Sequence, residues 1–326
     1  MKVLVTGGAG YIGSVTNNLL VSRGIETVVF DNLSTGHPEA VGTSRLIKGD
    51  LKNRSVIADV FIKEKFDAVI HFAALALAGE SMEKPYEYYE NNILGGLNLL
   101  EAMRKGGCNT IVFSSTCAVY GFPERLPVVE SESYKPVSVY GASKRNFEEI
   151  LEWYEKLYGI HHAKLRYFNA SGASLDGSLG ESHPEETHII PIAIETAMGK
   201  RDVFKVFGND YNTPDGTCIR DYIHVVDLAD AHIRAIDYLE KKKDSFAVNL
   251  GVGRGYSNLE ILSAIEKVTG KIIKKETIAR RAGDPDSIYA DNSKAKSLLG
   301  WVPKYSSIET IIETAWKWHK AHPSGY

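Results

Sequence analysis

The sequence predicts an α/β protein with a Rossmann-type, doubly wound parallel sheet, followed by a smaller C-terminal α/β domain. Three observations support this fold class. Short apolar runs alternate with longer amphipathic segments through the first half, a glycine-rich turn follows the first apolar run, and an aspartate ends the second. Strands that alternate with helices in this way form parallel βαβ units, which place helices on both faces of one sheet.

Seven short apolar runs have the length of buried strands, namely 3–5, 26–30, 45–48, 68–71, 110–114, 162–166 and 246–250. Helical periodicity covers 11–23, 54–64, 86–105, 139–158, 189–199, 227–240, 257–268 and 307–320. Residues 172–186 are rich in Gly, Ser and acidic side chains, which predicts a loop. We therefore expect a Rossmann domain over 1–170, with a segment near 218–250 packing back onto it, and a second domain over 171–326.

The composition is that of an ordinary globular enzyme, with 44% hydrophobic and 24% charged residues among 326 and a formal net charge of −3. This charge does not favour a nucleic-acid or anionic-membrane partner. No apolar run reaches the ~20 residues of a bilayer span, and the N-terminus lacks the pattern of a signal peptide. The three cysteines are far apart and without metal-ligand spacing. We expect a cytoplasmic protein with reduced thiols, no metal and no membrane association.

The turn after the first strand carries three glycines at a spacing of three, Gly7, Gly10 and Gly13. Gly7 permits a tight turn off the strand, and Gly10 lets the backbone approach a pyrophosphate at the positive end of the following helix. Gly13 allows that helix to pack closely on the strand. Because the triad lies between a strand and a helix, it predicts a dinucleotide-binding turn.

Asp31 ends the second strand, 18 residues after Gly13. An acid at this distance accepts hydrogen bonds from the adenosine ribose hydroxyls and repels a 2′-phosphate. Residues 32–36 contain no arginine that could receive such a phosphate. The pattern therefore predicts NAD rather than NADP. Asp50, after the third strand, either meets the adenine amino group or is a turn residue.

Tyr140 and Lys144 are four residues apart in a predicted helix, so their side chains lie on one face. A free tyrosine has a pKa near ~10, and a neighbouring cation together with a positive nicotinamide ring favours the phenolate. In isolation such a pair is more often a surface pair. The segment 114–121 lies where the fifth strand ends, at the edge where open α/β sheets bind ligands. Its Thr116 hydroxyl either binds a substrate oxygen or satisfies its own backbone.

Several separated motifs give the chain a resemblance to the extended short-chain dehydrogenase/reductase family. They are TGGAGYIG at 6–13, HFAA at 71–74, YYENN at 88–92, SSTCAVYG at 114–121, YGASK at 140–144, LRYFN at 165–169, FGNDY at 207–211, RDYIHV at 220–225 and RAGDP at 281–285. The run from Phe207 to Val225 is the most specific, and within the family it is similar to the enzymes that epimerise UDP-sugars at C4. The resemblance extends essentially from end to end.

The resemblance implies reversible C4 epimerisation of UDP-galactose and UDP-glucose through a 4-keto intermediate, with transient hydride transfer to tightly bound NAD. Tyr140 would be the acid/base, Lys144 would lower its pKa and hold the nicotinamide ribose, and Thr116 would bind the sugar oxygen. The cofactor residues implied are Gly7, Gly10, Tyr11, Ile12, Gly13, Asp31, Asn32, Asp50, Leu51, Phe72, Ala73, Asn92, Ser114, Tyr140, Lys144 and Phe168.

For the UDP-sugar, the resemblance implies that Asn169, Arg220 and Arg281 contact the diphosphate and that Asp284 contacts the uridine ribose, beside the sugar contacts of Thr116 and Tyr140. Two separated arginines suit a pyrophosphate, although either alone could form a surface salt bridge. Ile288 stands at the position that gates N-acetylated sugars and is intermediate in size. Ala76 stands where the family often has a lysine, so that contact is missing or supplied elsewhere.

Three alternatives accompany this interpretation. A dehydratase of the same family needs an acidic pair after the fifth strand, and Cys117 and Ala118 stand there instead. Epimerases of UDP-N-acetylglucosamine, UDP-xylose or UDP-glucuronate would share the tyrosine and lysine. A non-catalytic NAD-sensing protein would have lost one of them. The resemblance also implies a homodimer formed by the helices near 86–105 and 139–158.

Overall fold

A seven-stranded parallel sheet, whose strands lie between Lys2 and Leu250, forms the centre of the computed structural model. The structure describes residues 1–281 and 283–326. Ala282, part of the motif at 281–285, therefore lies outside the described residues. The strands are β1 Lys2–Thr6, β2 Glu26–Asp31, β3 Arg45–Lys48, β4 Ala68–His71, β5 Thr110–Thr116, β6 His161–Tyr167, β7 Asn169–Ser171, β8 Phe204–Phe207, β9 Ile219–Arg220, β10 Tyr222–His224, β11 Phe246–Leu250, β12 Tyr256–Ser257, β13 Lys275–Ile278 and β14 Ser287–Ile288.

The helices are α1 Tyr11–Ser22, α2 Arg54–Lys63, α3 Ala78–Glu83, α4 Pro85–Tyr89, α5 Gly95–Gly106, α6 Val139–Tyr158, α7 Ile189–Ala197, α8 Val225–Lys242, α9 Asn258–Thr269, α10 Ser293–Leu299 and α11 Ile308–Ala321. The single helix predicted over 86–105 is divided, because a π-helical turn at Glu90–Leu94 separates α4 from α5. Over the described ranges, none of these helices is both long and apolar enough to span a bilayer.

The strand order of the large sheet is β11-β6-β5-β4-β1-β2-β3, and every adjacent pair is parallel. The predicted doubly wound Rossmann fold is thereby confirmed. The chain runs outward from β1 to β3 and then returns to place β4 on the other side of β1. This reversal creates a crevice at the carboxyl ends of β1 and β4, which is the usual ligand position in such sheets.

Both faces of the sheet are buried, as expected for parallel strands covered by helices. In β1, Val3 and Val5 face the cluster that includes α8, whereas Leu4 faces the cluster formed with α2 and α5. All three side chains are fully buried. The alternation fixes the register of β1, because a slip of one residue would exchange the two faces.

The predicted strand at 246–250 rejoins the large sheet as its edge strand β11, paired in parallel with β6. The preceding helix α8 packs against α1, and its buried face includes Leu228, Ile233 and Ile236. A segment from the second half of the sequence therefore completes the sheet. Amphipathic α8 supplies the apolar stripe that covers one face.

The remainder of the chain forms a smaller unit in which α7, α9 and α11 pack on one another. Its core contains Ile190, Ile194, Ile261, Ile265 and Ile311, all nearly inaccessible to solvent. Short strands connect this unit to the sheet, since β10 pairs with β7 and β9 pairs with both β12 and β14. Strands of two or three residues carry no readable periodicity, which is why the sequence did not predict them.

Three buried histidines make the stability of the fold sensitive to acid. Burial lowers the pKa of His224 and of His232 to about 4, and burial together with the charge of Lys144 lowers that of His71 to about 3. Since a free histidine has a pKa of about 6.5, the unfolded chain binds more protons than the folded chain between pH 6.5 and 4. Stability should therefore fall as pH drops through this window.

The measurement is the thermal midpoint of unfolding from pH 7.5 to 5, where most carboxylates stay ionised. We expect a steady decrease below pH 6.5. A midpoint that stays constant between pH 6.5 and 5 would show that these imidazoles accept protons within the folded state.

Candidate active site

The glycine turn after β1 has the geometry of a dinucleotide-binding loop. Gly7 has a φ of +73°, and a Cβ there would lie 2.5 Å from the backbone nitrogen of Ala73. A Cβ on Gly13 would lie 2.1 Å from the carbonyl oxygen of Gly7. Both positions therefore require glycine for the packing of the protein itself.

Gly10 differs from the other two glycines. It caps α1 with a φ of −82°, and a Cβ there would meet only the carbonyl oxygen of Gly7 at 3.5 Å. Neither its backbone conformation nor its packing demands glycine. A phosphate bound at the positive end of α1 would demand it, because a side chain would keep the anion from the backbone amides.

Asp31 lies at the end of β2, beside this turn. Its carboxylate accepts hydrogen bonds from the backbone nitrogen of Ala9 at 3.0 Å and of Leu33 at 2.8 Å. The side chain is 8% exposed, and each oxygen retains a lone pair for a further donor. The carboxylate is thus fixed next to the glycine turn in a position that can accept ribose hydroxyls.

The other residues predicted to hold a cofactor differ in what their side chains do. The Asn32 amide donates to Asp50 at 3.2 Å, which ties the loops after β2 and β3 together. The Tyr11 hydroxyl donates to the carbonyl of Gly172 at 2.6 Å. The side chains of Ile12 and Phe72 pack on the core cluster of the sheet, Leu51 is buried, and Phe168 lies in the cluster around Ile288.

Asn92 is a positioning residue within the chain. Its amide accepts from the backbone nitrogen of Leu75 at 2.9 Å, and it donates to the Leu75 carbonyl and to the Ser143 hydroxyl, both at 3.0 Å. These bonds fasten the loop after β4 to α6. The side chain lies in the π-helical turn, which rotates it toward this loop.

Tyr140, Lys144 and Thr116 meet at the carboxyl end of β5. Burial raises the pKa of the Tyr140 phenol well above its usual value, and a hydrogen-bonding contact with the Thr116 hydroxyl opposes the rise. The Lys144 ammonium lies 6.0 Å from the centre of the Tyr140 ring. The hydroxyl of Thr116 also accepts from the backbone nitrogen of Ala118 at 3.1 Å, so both of its predicted uses are compatible.

Lys144 is fully buried, and burial favours the neutral form of its amine. Burial lowers its pKa to about 7, against a rise caused by the charge of Glu148. Its ammonium donates to the carbonyl of Ser114 at 2.9 Å and lies 4.8 Å above the ring of Phe113. A lysine with this pKa exchanges its proton near neutral pH and is therefore a candidate participant in proton transfer.

Two tyrosines near the phenol of Tyr140 were not predicted. The hydroxyl of Tyr167 contacts that of Ser114, and Tyr167 and Tyr88 are both close enough to raise the pKa of Tyr140 further. Tyr88 donates to the Leu77 carbonyl at 2.8 Å. Both lie within motifs quoted from the sequence, but only the folded chain brings them to Tyr140.

A buried ion pair lies directly behind this constellation. Arg166 donates to the two oxygens of Glu148 at 2.8 and 2.6 Å, and Ser115 donates to the same carboxylate at 2.6 Å. The side chains of Arg166 and Glu148 are 1% and 0% exposed. The pair joins β5, β6 and α6, which carry the reactive side chains.

Arg220 and Asp284 lie together on the side of the smaller unit. Nη2 of Arg220 is 3.5 Å from Oδ1 of Asp284, and this buried nitrogen has no hydrogen-bond partner within the described part of the chain. A buried guanidinium nitrogen without a partner costs free energy and is a ready donor to an anionic ligand. Arg281 is exposed, and its guanidinium stacks 4.0 Å above the ring of Phe207.

Asn169 and Ile288 lie on either side of the β9–β10 segment. The Asn169 amide donates to the carbonyl of Asp221 at 2.9 Å, and Ile288 pairs with Arg220 in the β14–β9 register. Asp221 itself was not predicted: its buried carboxylate accepts from the backbone nitrogens of Val252 at 2.8 Å and Ala290 at 3.1 Å. It thereby holds the two crossing segments between the sheet and the smaller unit.

Comparison with known proteins shows close relatives over the full chain. The sequence profile of the NAD dependent epimerase/dehydratase family matches residues 3–251. A UDP-glucose 4-epimerase of Lacticaseibacillus casei is 49% identical, with 100% of this chain and 99% of the relative covered.

Two solved structures show the same similarity. The UDP-glucose 4-epimerase of Brucella ovis in complex with NAD is 49% identical and superimposes with a TM-score of 0.94, covering 97% of each chain. The UDP-glucose 4-epimerase of Bifidobacterium longum in complex with NAD+ and UDP is 38% identical, with a TM-score of 0.95 and 100% of each chain covered.

Proposed function

Since the chain belongs to the NAD dependent epimerase/dehydratase family, we propose that it catalyses the reversible C4 epimerisation of UDP-galactose and UDP-glucose. It is an NAD-dependent isomerase. The observation that supports the reaction most directly is the meeting of Tyr140, Lys144 and Thr116 at the carboxyl end of β5, on the same edge of the sheet as the glycine turn. Bound beside the glycine turn and Asp31, NAD would supply a reversible hydride acceptor for C4 of the sugar.

Tyr140 removes the proton from the C4 hydroxyl and returns it after the sugar has turned. Its buried phenol is neutral in the protein alone, so the proton can leave only when positive charge stabilises the phenolate. Lys144, held against the carbonyl of Ser114, is the cation that this chain supplies. Thr116 orients the C4 hydroxyl of the substrate by hydrogen bonding. The Thr116 hydroxyl already forms a hydrogen-bonding contact with the phenol of Tyr140.

The residues of the crevice fit a dinucleotide. The N-terminus of α1, with Gly10 as its cap, would face the pyrophosphate, and the fixed carboxylate of Asp31 would accept the adenosine ribose hydroxyls. Asp31 and the absence of arginine at 32–36 favour NAD over its phosphorylated form. Asn92 supports the site by positioning the loop after β4.

The UDP portion of the substrate would be held where the returning segment 218–250 meets the smaller unit, while the sugar rotates. The buried Nη2 of Arg220 is the first candidate for the diphosphate, with Asn169 and Arg281 as further contacts and Asp284 at the uridine ribose. Charged hydrogen bonds to the diphosphate would hold the substrate without many contacts to the sugar. The sugar could then rotate and present either face of C4 to the nicotinamide. This arrangement divides the chain into an NAD-binding part, 1–170 with the returning segment 218–250, and a substrate part, 171–326.

The experiment is to incubate the purified protein with UDP-galactose, without added NAD, and to follow UDP-glucose with a coupled dehydrogenase. Turnover would establish 4-epimerisation and show that the cofactor is carried by the protein. No turnover, even after NAD is added, would reject this substrate. The same assay with UDP-N-acetylgalactosamine, UDP-xylose and UDP-glucuronate, with products resolved by chromatography, would test the alternatives.

Ile288 is proposed to set the tolerance for N-acetylated sugars. It is 5% exposed and packs with Val119 and Phe168, next to the strand end that carries Thr116. We expect Ile288→Tyr to reduce turnover of UDP-N-acetylgalactosamine by about tenfold or more relative to UDP-galactose, because the ring fills the space of the acetamido group. The ratio of the two kcat/KM values measures this, with Ile288→Val as the control for altered packing. An unchanged ratio of the two kcat/KM values in Ile288→Tyr would show that Ile288 does not determine the tolerance for N-acetylated sugars.

The proposed assembly is a cytoplasmic homodimer. Tyr86, Tyr89 and Leu94 lie exposed on the segment before α5, and Trp153 and Leu157 lie exposed on α6. Large exposed apolar side chains on two neighbouring helices are typical of an interface. Light scattering at micromolar concentration should give twice the monomer mass of 36.0 kDa, and a monomer mass would contradict the assignment.

A further inference from the structure

Four side chains with metal-binding chemistry meet in the segment between the large sheet and α7, and none of them belongs to the proposed active site. Glu181, His183, Glu186 and His188 each present one ligand atom, and these atoms all lie within 4.8 Å of one another. The four residues fall within eight positions of the sequence, so one short segment supplies the complete set.

The distances between the ligand atoms have the scale of a metal site. Nδ1 of His188 lies 2.6 Å from Glu181 Oε1 and 3.2 Å from Glu186 Oε1. Nδ1 of His183 lies 3.6 Å from Glu181 Oε1 and 3.3 Å from Glu186 Oε2. In a tetrahedral zinc site with bonds of about 2.0–2.1 Å, neighbouring ligand atoms are about 3.3 Å apart.

The carboxylate of Glu181 is a buried negative charge that requires a positive partner. Its side chain is 6% exposed, and within residues 1–281 and 283–326 it forms ion pairs with His183 and His188 alone and accepts no hydrogen bond from a backbone amide or a hydroxyl. A buried carboxylate requires a positive partner or several donors. A divalent metal held by the four side chains would supply that positive charge.

The second carboxylate is already oriented toward the cluster. Oε1 of Glu186 accepts from the backbone nitrogens of Thr187 and His188, both at 2.8 Å. Hydrogen bonds of this kind hold metal-binding carboxylates in place and raise the affinity of their sites.

We propose that Glu181, His183, Glu186 and His188 form a structural site for a divalent transition metal, with Zn²⁺ as the preferred ion. Two imidazoles and two carboxylates are borderline-to-hard ligands that suit zinc, and the two negative charges neutralise it. Four protein ligands complete a tetrahedral shell and leave no position for a substrate, which makes the role structural.

The surroundings indicate what the metal would stabilise. The Trp318 indole donates to the carbonyl of Glu181 at 3.1 Å, and the His37 ring contacts the carbonyl of Ser182 at 3.0 Å. The segment is therefore held between α11 and the loop after β2. A metal at 181–188 would fix the connection from the sheet into the smaller unit. From the sequence we expect no metal, because the three cysteines lack ligand spacing. Three of the ligands proposed here, Glu181, His183 and Glu186, lie within the segment 172–186 that is predicted to be a loop.

The experiment measures metal bound to the tag-free protein. After incubation with zinc acetate and gel filtration, elemental analysis should find about one Zn²⁺ per chain in the wild type. Glu181→Gln and His188→Gln should each weaken binding by roughly 100-fold and lose the ion on the column. His161→Gln, which removes an imidazole that pairs with Glu155 away from the cluster, should retain the ion.

Two further measurements make the outcome independent of folding defects. Because the His188 side chain is 52% exposed, His188→Gln should remain folded, as checked by circular dichroism. Zn²⁺ should raise the thermal midpoint of the wild type but not of this variant, and Co²⁺ should give the intense visible bands of a tetrahedral site. Equal zinc retention in wild type and both cluster variants, or loss in His161→Gln as well, would mean adventitious binding to surface histidines and would overturn the proposal.

Discussion

Tyr140→Phe is expected to lower kcat for UDP-galactose by about 10³-fold while the protein keeps its NAD. The variant removes one oxygen from a buried ring, so the packing around it is retained. The substitution removes the group proposed to take the C4 proton, and general acid–base catalysis contributes about 10²–10⁴-fold. The KM should change little, because the substitution leaves the proposed diphosphate contacts of Arg220 and Arg281 untouched.

The coupled assay gives kcat and KM, and the cofactor content is read from the absorbance of denatured protein. Tyr238→Phe is the matched control, since it removes a hydroxyl that pairs with Asp244 at 3.2 Å on the surface of α8. That variant should retain full activity. If Tyr140→Phe kept more than about a tenth of the wild-type kcat, the acid/base role of Tyr140 would be rejected.

Glu148→Gln is expected to destabilise the fold by about 3–5 kcal/mol, because it leaves the guanidinium of Arg166 buried without a counter-charge. Burial works against the charge of Arg166, but its hydrogen bonds to Glu148 outweigh this and hold its pKa above the usual value. Glutamine preserves the shape of the side chain and can accept only part of these bonds. The same change removes the charge that raises the pKa of Lys144, so the pKa of Lys144 should fall further.

Urea denaturation of the NAD-saturated protein measures the free energy of unfolding. Glu149→Gln, one residue along α6, is the control: its side chain is 54% exposed and pairs with Arg145. Surface pairs contribute about 0–1 kcal/mol, so this variant should unfold nearly as the wild type does. Adding Arg166→Met to Glu148→Gln should recover part of the loss, because the orphaned charge is then removed. If Glu148→Gln were as stable as Glu149→Gln, the pair would not support the site.

How much could be predicted from the sequence depends on how local each feature is. The seven strands of the large sheet and the main helices are readable because their apolar periodicity extends over several residues. The division of the 86–105 helix is not readable, since a π-helical turn has no sequence signature of its own. The short strands β9, β10 and β14 were not predicted because two or three residues carry no readable periodicity, although these strands position Arg220 and Ile288.

The order of the βαβ units, the glycine turn at Gly7 and Gly13, and the placing of Tyr140 and Lys144 on one helix face could be predicted from the amino-acid sequence. The turn and the helix pair depend on residues that are close in the chain, where backbone geometry dictates the result. The packing of the folded chain was needed to show that Glu148 and Arg166 form the buried support behind them and that Asp221 joins two crossing segments. It also decided that Lys144 is buried deeply enough to lose its proton near neutral pH. Desolvation and long-range contacts arise from packing between segments far apart in the chain, and no local pattern records them.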